Sequence, residues 1–228
     1  IDIYKFKSAF KRRMKQEPVS KIFNNKEFWN LNFLVNQSVL DPRPESEFLI
    51  QTIKKYFSNL KSNIKICDLG TGSGCLAIIL AKIYSKSKIS AIDISKEALK
   101  IAVKNAKKHN VDNQIKFLNC DWSKLNDRFD IILSNPPYLS YNEYAKCKIN
   151  IKNFEPKIAL MGGYDGLRSY REISKFIHSY MHEKSFLFIE MGKLQVNAIK
   201  EIFFKKKLNA ISTIKDYHQI DRVLVLKK

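Results

Sequence analysis

The chain has 228 residues, of which 45% are hydrophobic, and it carries a net charge of +19 from 41 Lys and Arg against 22 Asp and Glu. This length suits one domain with a sizeable core and a small appendage. No apolar run approaches the roughly 20 residues that a membrane span needs. The four cysteines make neither a CxxC pair nor a metal-ligand spacing, so we expect reduced thiols in a cytoplasmic protein and no metal site.

The positive charge has two interpretations. A strongly basic chain favours an anionic partner such as nucleic acid or a ribonucleoprotein. The excess is Lys spread along the chain, however, and abundant Lys, Asn and Ile are also typical of an AT-rich genome. The charge alone therefore does not decide between functions.

The first 45 residues predict a small N-terminal unit. Residues 1–17 are basic and predict a helix with Phe6, Phe10 and Met14 along one face. Residues 19–40 predict an extended segment that folds as a β-hairpin. The chain does not begin with Met, so we expect it to be part of a longer or fused polypeptide.

Residues 46–228 predict the main domain. Ser46 is expected to cap a helix in which Leu49, Ile53, Tyr56 and Leu60 share one face. Further strands are predicted at 64–69, 88–93, 115–120, 129–134, 185–190, 210–215 and 222–226. Further helices are predicted at 75–84, 95–110, 168–182 and 194–206. This alternation predicts an α/β fold with a doubly wound, mostly parallel sheet of seven strands, and the last strand pair predicts an antiparallel edge strand.

A glycine-rich loop, Asp68-Leu69-Gly70-Thr71-Gly72-Ser73-Gly74, joins the 64–69 strand to its helix. Alternate glycines let the backbone approach a ligand, and the helix N-terminus offers unpaired N–H groups. The spacing is GxGxG, which is neither the GxGxxG of dinucleotide folds nor a phosphate loop. We expect residues 70–74 to bind a cofactor and Asp68 to order the loop.

Two further strand ends carry candidate cofactor-binding residues. Asp93 ends the 88–93 strand, where a carboxylate can accept hydrogen bonds from ribose hydroxyls. Asp121 and Trp122 follow the 115–120 strand, where a carboxylate and an aromatic ring can flank adenine. Taken alone, Asp93 is as consistent with a strand-end cap, and Trp122 with core packing. Their order along successive strands favours the cofactor.

The segment Asn135-Pro136-Pro137-Tyr138 follows the 129–134 strand. Two prolines end the strand and keep the segment extended. The amide of Asn135 is therefore expected on a rigid loop at the carboxyl end of the sheet, where ligands bind in open α/β folds. The motif is similar to that of methyltransferases that act on planar nitrogens, namely amides and exocyclic base amines.

Together the motifs resemble those of the HemK/PrmC family, the protein-(glutamine-N5) methyltransferases of peptide chain release factors. The stretches that carry the resemblance include Pro42-Arg43-Pro44-Glu45-Ser46-Glu47, the glycine loop, Asn135 to Tyr138, Gly163-Tyr164-Asp165-Gly166-Leu167 and Glu190-Met191-Gly192. The resemblance implies a class I, Rossmann-like methyltransferase fold and the cofactor S-adenosylmethionine, released as S-adenosylhomocysteine. It implies methylation of the glutamine in a release factor's Gly-Gly-Gln motif, which tunes translation termination.

The resemblance also implies roles for the residues of the Asn-Pro-Pro-Tyr segment. Asn135 and the backbone carbonyl of Pro136 would accept hydrogen bonds from the substrate NH2, and Asn135 would also border the cofactor. Tyr138 would pack on the substrate amide, and Pro137 would belong to the substrate-binding wall. The family's longer N-terminal helical domain is represented here by at most its last piece, so residues 1–45 are expected to be a remnant of a substrate-recognition region.

Two alternative functions stay open. A nucleic-acid amine methyltransferase, acting on adenine N6 or guanine N2, would share the Asn-Pro-Pro-Tyr segment and the basic charge. The lack of a recognisable target-recognition domain and the segment 42–47 favour the protein methyltransferase. A non-catalytic binding module on an inactive fold is the second alternative, and the retained Gly70, Asp93, Trp122 and Asn135 argue against it. Arg43 and Glu45 either line the substrate cleft or form a structural salt link.

Overall fold

A computed structural model describes residues 2–58 and 63–228 of the chain. A two-stranded hairpin is formed by β1 (Asn25–Phe28) and β2 (Leu31–Leu34). The main sheet comprises β3 (Lys65–Leu69), β4 (Lys88–Asp93), β5 (Ile115–Asn119), β6 (Phe129–Ser134), β7 (Met181–Glu190), β8 (Asn209–Lys215) and β9 (Asp221–Lys227). The helices are α1 (Ile3–Met14), α2 (Val19–Phe23), α3 (Glu47–Tyr56), α4 (Cys75–Ile83), α5 (Lys96–Lys108), α6 (Tyr141–Lys146), α7 (Ile149–Phe154), α8 (Arg168–Tyr180) and α9 (Val196–Phe204).

The main sheet has the strand order β5-β4-β3-β6-β7-β9-β8. Strands β3 to β7 pair in parallel, whereas β9 runs antiparallel to both β7 and β8. The predicted seven-stranded α/β sheet with antiparallel pairing at one edge is confirmed; the reversed strand is β9, next to the outermost β8. Because the chain moves outward from β3 to β5 and then returns to β6, a crevice forms between the ends of β3 and β6.

Both faces of the sheet are buried, which explains its continuous apolar strands. Along β6, Ile131 and Leu133 join one hydrophobic core with α3 and α4. Ile132, between them, points to the opposite core, which contains residues of α8 and α9. The α/β layering therefore follows from the two-residue period of the strands.

The N-terminal hairpin is confirmed, but the prediction that residues 19–23 are extended is wrong. They form α2, in which the N–H groups of Lys21 and Ile22 donate to the carbonyl of Pro18, and Asn24 ends it in the left-handed conformation with φ 50°. The hairpin turn is Trp29-Asn30, with φ angles of 51° and 57°. Two positive φ values are the geometry that matches the twist of paired strands. The division of the chain at residues 45 and 46 stays a prediction.

The helix after Ser46 is confirmed, but the prediction that Ser46 caps it is wrong. Ser46 lies in a short 3-10 turn, and its side chain makes no capping bond to α3. Its hydroxyl oxygen instead accepts a hydrogen bond from the side chain of Asn135, at 2.8 Å. Leu60, predicted on the inner face of this helix, lies outside the described residues.

The boundaries of the remaining elements differ from prediction by a few residues, and one region was not predicted. Helix α8 ends at Tyr180, before the predicted end at residue 182, and strand β7 begins at Met181, before the predicted start at residue 185. Helices α6 and α7 fill the segment after Tyr138, and Ser140 and Glu143 form a capping box at the start of α6. Across residues 2–58 and 63–228, every helix is too short or too polar to cross a bilayer.

Candidate active site

The glycine loop leaves the end of β3 and enters α4. Gly70, Gly72 and Gly74 have φ angles of 82°, 56° and 81°, a region that favours glycine. Side chains at Gly70 and Gly72 would meet no atom within 4 Å, so their backbone faces open space. Gly74 differs, because a Cβ there would lie 3.0 Å from the Cβ of Ala102 on α5. The first two glycines thus expose backbone, and the third permits helix packing.

Asp68 orders this loop, as predicted from the sequence. Its carboxylate is buried and accepts a hydrogen bond from the Thr71 hydroxyl at 2.7 Å. Burial raises the pKa of Asp68 to about 7, and the hydrogen bond from Thr71 opposes this rise. The N–H groups of Gly70 and Thr71 both donate to the carbonyl of Ile92 at 2.9 Å, which ties the loop to β4.

Asp93 lies at the end of β4, beside the loop. One oxygen accepts from the N–H of Gly72 at 2.9 Å and the other from the N–H of Ser95 at 2.8 Å. Burial raises the pKa of Asp93, and these backbone hydrogen bonds counteract it. Each carboxylate oxygen has a second lone pair, so Asp93 can support the loop and also accept hydrogen bonds from a ligand.

Trp122 follows β5 on the same edge of the sheet. It is half-buried, packs against the core beneath α8, and its carbonyl accepts from the Tyr180 hydroxyl at 2.6 Å. The neighbouring Asp121 is exposed and accepts hydrogen bonds from Ser123. Part of the Trp122 side chain therefore packs against the core, and part of it remains exposed.

These elements enclose a cavity of about 580 Å³ at the crevice between β3 and β6. Nine of the cofactor- and substrate-binding residues predicted from the sequence line it: Gly70, Thr71, Gly72, Ser73, Asp93, Asp121, Trp122, Asn135 and Pro137. Three of the predicted residues do not line it, namely Gly74, Pro136 and Tyr138. The cavity thus brings the glycine loop and the asparagine of the Asn-Pro-Pro-Tyr segment into one space.

The segment Asn135 to Tyr138 is held rigidly on several sides. The Ser134 hydroxyl donates to the carbonyl of Leu69 at 2.7 Å, which joins the segment to the glycine loop. The hydroxyl of Ser169 donates to the carbonyl of Pro137 at 2.9 Å. The side-chain N–H of Gln195 donates to the carbonyl of Tyr138 at 2.9 Å. The segment is therefore fixed relative to the cavity before any ligand binds.

Three glycines allow this close packing. A Cβ at Gly162 would lie 2.8 Å from the carbonyl oxygen of Pro137, and one at Gly192 would lie 3.0 Å from the ring of Tyr138. A Cβ at Gly166 would collide with the carbonyl oxygen of Tyr138. Their shared function is visible only in the fold, since they surround a segment far away in sequence.

Tyr138 and Glu190 lie behind the cavity wall. Burial raises the pKa of Tyr138 to about 12, and the nearby charge of Glu190 adds to this rise. Burial likewise raises the pKa of Glu190 to about 7, while hydrogen bonding with Ser46 and the charge of Arg222 counteract it. Ser46 and Glu190 therefore lie beside the segment on the side away from the glycine loop, where Ser46 contacts Asn135 and Glu190 lies near Tyr138.

A buried ion cluster fixes the Pro-Arg-Pro-Glu stretch. Lys21 is only 2% exposed and lies 2.7 Å from Asp41 and 3.4 Å from Glu155. Arg43 lies 3.0 Å from the same Glu155 and lines the cavity. Arg43 thus forms a structural salt link and also lines the cleft, whereas Glu45 does not line it.

Sequence reasoning missed several of these supporting residues. The sequence predicts a helix cap at Ser46, and Gln195 and Lys21 carry no recognisable signal. Glu190 lay within a stretch that resembles the family, but its contact with the site depends on β7 pairing with β6. A buried lysine can be identified only from the folded chain, because lysine is usually a surface residue.

In each comparison with known proteins, this chain is similar to methyltransferases. A family model described as a methyltransferase domain matches residues 60–182. The release factor glutamine methyltransferase of Buchnera aphidicola subsp. Baizongia pistaciae is 43% identical over 218 residues, covering 95% of this chain and 78% of that protein. A bifunctional methyltransferase of Rickettsia bellii is 34% identical, covering 89% of this chain and 41% of that protein. A methyltransferase structure from Pyrococcus furiosus has a TM-score of 0.64 at 17% identity, covering 97% of this chain and 98% of that chain, which supports the fold alone.

Proposed function

This chain belongs to the family of release factor glutamine methyltransferases, and from that premise we propose how its cavity performs the reaction. The reaction is the S-adenosylmethionine-dependent methylation of a glutamine side chain in a peptide chain release factor. We propose that the acceptor is the glutamine of the Gly-Gly-Gln motif. The observation that carries the proposal is that Asn135 and the glycine loop line the same cavity.

The residues of the cavity fit S-adenosylmethionine. The cofactor supplies a methyl group on a positively charged sulfur, which makes that methyl strongly electrophilic. Gly70 and Gly72 leave the space that a Cβ would fill, so their backbone can lie against the bound molecule. Asp93 has acceptor capacity for ribose hydroxyls, and the ring of Trp122 offers a stacking surface for adenine.

Asn135 is proposed to orient the acceptor nitrogen. An amide nitrogen is a weak nucleophile, because its lone pair is delocalised into the carbonyl, so positioning and electrostatics must supply the rate enhancement. The Nδ2 of Asn135 is engaged by Ser46, which leaves its Oδ1 to accept from the substrate NH2. The carbonyl of Pro136 would accept from the other N–H, and both acceptors would stabilise positive charge that develops on nitrogen.

The roles of Pro137 and Tyr138 follow from their positions. Pro137 lines the cavity and is proposed to contact the substrate directly. Tyr138 lies beside this wall and does not line the cavity itself. To pack on the substrate amide, its ring would have to lie next to the glutamine side chain as that side chain enters the cavity. The raised pKa keeps the Tyr138 hydroxyl neutral at physiological pH, which excludes a phenolate base from the proposed mechanism.

The proposed substrate also bears on partners and location. A release factor substrate implies a cytoplasmic enzyme that recognises a protein partner. The match to part of a bifunctional methyltransferase supports the proposal that this sequence can also occur within a longer fused polypeptide.

The proposed function can be tested with radiolabelled S-adenosylmethionine. The acceptors are a purified release factor, the same factor with its Gly-Gly-Gln glutamine changed to Ala, and bulk DNA and RNA. We expect label on the unmodified factor and none on the Ala variant or the nucleic acids. Label on nucleic acid alone would replace this function with methylation of exocyclic base amines.

A further inference from the structure

The two ends of the Asn135 side chain have opposite hydrogen-bonding properties. Its oxygen accepts and its NH2 donates, so a half-turn of the amide would present a donor to the cavity instead of an acceptor. The substrate NH2 can be oriented only by an acceptor. The reaction proposed above therefore requires a device that fixes which end of Asn135 faces the cavity.

Ser46 provides the contact that distinguishes the two ends. Its hydroxyl oxygen accepts from Asn135 Nδ2 at 2.8 Å, across 89 residues of sequence. Ser46 is only 3% exposed, and its backbone N–H donates to the carbonyl of Arg43 at 3.0 Å, so the hydroxyl is held by the turn that precedes α3.

A hydroxyl can donate as well as accept, so a further group must fix its direction. Glu190 is buried at the end of β7, and its Oε2 has no hydrogen-bond partner in the part of the chain that the structure describes. Hydrogen bonding with Ser46 stabilises the charged form of this carboxyl. A carboxyl group offers an acceptor oxygen in either protonation state, so the Ser46 hydroxyl can donate to Glu190 while its oxygen accepts from Asn135 Nδ2. The other charged or titratable groups coupled to Glu190 are Arg222, Arg43, Glu45, Tyr138, Tyr170 and Cys75.

We propose that Ser46 is a positioning residue that holds the Asn135 amide with its oxygen towards the acceptor glutamine. This inference rests on the proposed function for its catalytic consequence. The orientation itself is a property of this chain and can be measured without any substrate.

The test compares Ser46→Ala and Ser46→Thr with the wild type, each saturated with S-adenosylhomocysteine. The side-chain NH2 signal of Asn135 is identified in 15N-labelled protein by its loss in Asn135→Asp, and its exchange with water is measured. The kcat and KM for a release factor are measured in parallel. Thr52→Val is the matched control, because it removes a buried hydroxyl from α3 that donates to the carbonyl of Phe48 at 2.6 Å, without contact to Asn135.

In Ser46→Ala we expect exchange of the Asn135 NH2 to accelerate about tenfold, as loss of one buried hydrogen bond implies. We expect kcat to fall on the order of tenfold or more with a small change in KM. Ser46→Thr retains the hydroxyl and should restore both properties, and Thr52→Val should alter neither.

Two results would overturn the proposal: unchanged NH2 exchange in Ser46→Ala, or accelerated exchange with an unaltered kcat. A wild-type protein that transfers no methyl to release factors would contradict the proposed function instead. In that case the exchange measurement still decides whether Ser46 orients Asn135.

Discussion

Asn135 is the residue on which the proposed chemistry depends most. Its Nδ2 is bound by Ser46, and its oxygen remains the acceptor at the cavity wall. No other side chain of the Asn-Pro-Pro-Tyr segment combines an acceptor atom with a place on that wall. Removal of this one amide should therefore separate catalysis from cofactor binding.

We predict that Asn135→Ala lowers kcat by roughly 100-fold or more, the scale observed when one preorganised polar group is removed from an active site. The Kd for S-adenosylmethionine, measured by calorimetry, should change little, because the glycine loop and Asp93 remain. Asn209→Ala, at the exposed start of β8, is the control and should behave as the wild type. Full methyl transfer by Asn135→Ala would exclude the mechanism proposed here.

Glu190 should make stability depend on pH in a defined direction. Its pKa rises from the ordinary 4.5 to about 7 because it is buried. Between these values the folded protein keeps the proton while the unfolded chain loses it, so the free energy of unfolding decreases as pH rises. We predict that the free energy of unfolding of Glu190→Gln decreases by about 3 kcal/mol less than that of the wild type between pH 4.5 and pH 7.5.

The measurement for Glu190 is urea unfolding of both proteins at pH 4.5 and pH 7.5. Asp68 has a similarly raised pKa and contributes the same trend to both proteins. The comparison therefore isolates Glu190. Equal pH dependence in wild type and Glu190→Gln would show that the carboxyl of Glu190 is not the cause.

At the scale of elements, the loop that carries Asn135 depends on close backbone packing. A Cβ at Gly162 would lie 2.6 Å from the carbonyl oxygen of Gly166 and 2.8 Å from that of Pro137. Backbone atoms cannot move aside as a flexible side chain can. We predict that Gly162→Ala lowers the free energy of unfolding by about 1–3 kcal/mol and also reduces kcat, because Pro137 and its neighbours must shift.

Gly163→Ala is the informative comparison for Gly162→Ala. Gly163 has a φ of 92°, so alanine is strained there, but its Cβ would meet only side-chain atoms of Arg168. We expect Gly163→Ala to lower the melting temperature with a smaller loss of kcat per unit of stability lost. A Gly162→Ala enzyme with wild-type kcat would show that this packing does not position the catalytic loop.

The sequence predicts most of the elements and the ends of the strands that form the cavity. The GxGxG spacing, Asp93 and Asn135 are local signals, because each lies where a buried strand stops. The partners of these residues are not local. Ser46 contacts Asn135 although 89 residues separate them in the sequence. Its position just before a predicted helix is also typical of a helix cap. Likewise α2 has only five residues, too few for a hydrophobic period to be recognised.

At the scale of the whole molecule, one buried lysine connects the N-terminal region to the site. Lys21 donates to the carbonyls of Asn36 and Val39 at 2.8 and 2.7 Å and pairs with Asp41 and Glu155. The same Glu155 holds Arg43 at the cavity. This cluster therefore couples α2, the segment before α3 and the segment after α7.

We predict that Lys21→Met destabilises the protein by about 3–5 kcal/mol, since buried Asp41 would lose its charge partner and buried Glu155 would lose one of its two. Urea unfolding measures this loss, and Lys55→Met, at an exposed position on α3, controls for the change of residue type. The KM for the release factor should also rise, because Lys21 would no longer fix Glu155, which holds Arg43 at the cavity. A stability change equal to that of Lys55→Met would show that the ion cluster around Lys21 does not stabilise the protein.

The most direct test of the central claim is fragmentation mass spectrometry of a release factor after reaction with this enzyme and S-adenosylmethionine. We expect one added methyl group, located on the side-chain nitrogen of the Gly-Gly-Gln glutamine, in the wild-type reaction and not with Asn135→Ala. A methyl group on any other residue of the factor, or the same modified glutamine produced by Asn135→Ala, would contradict it.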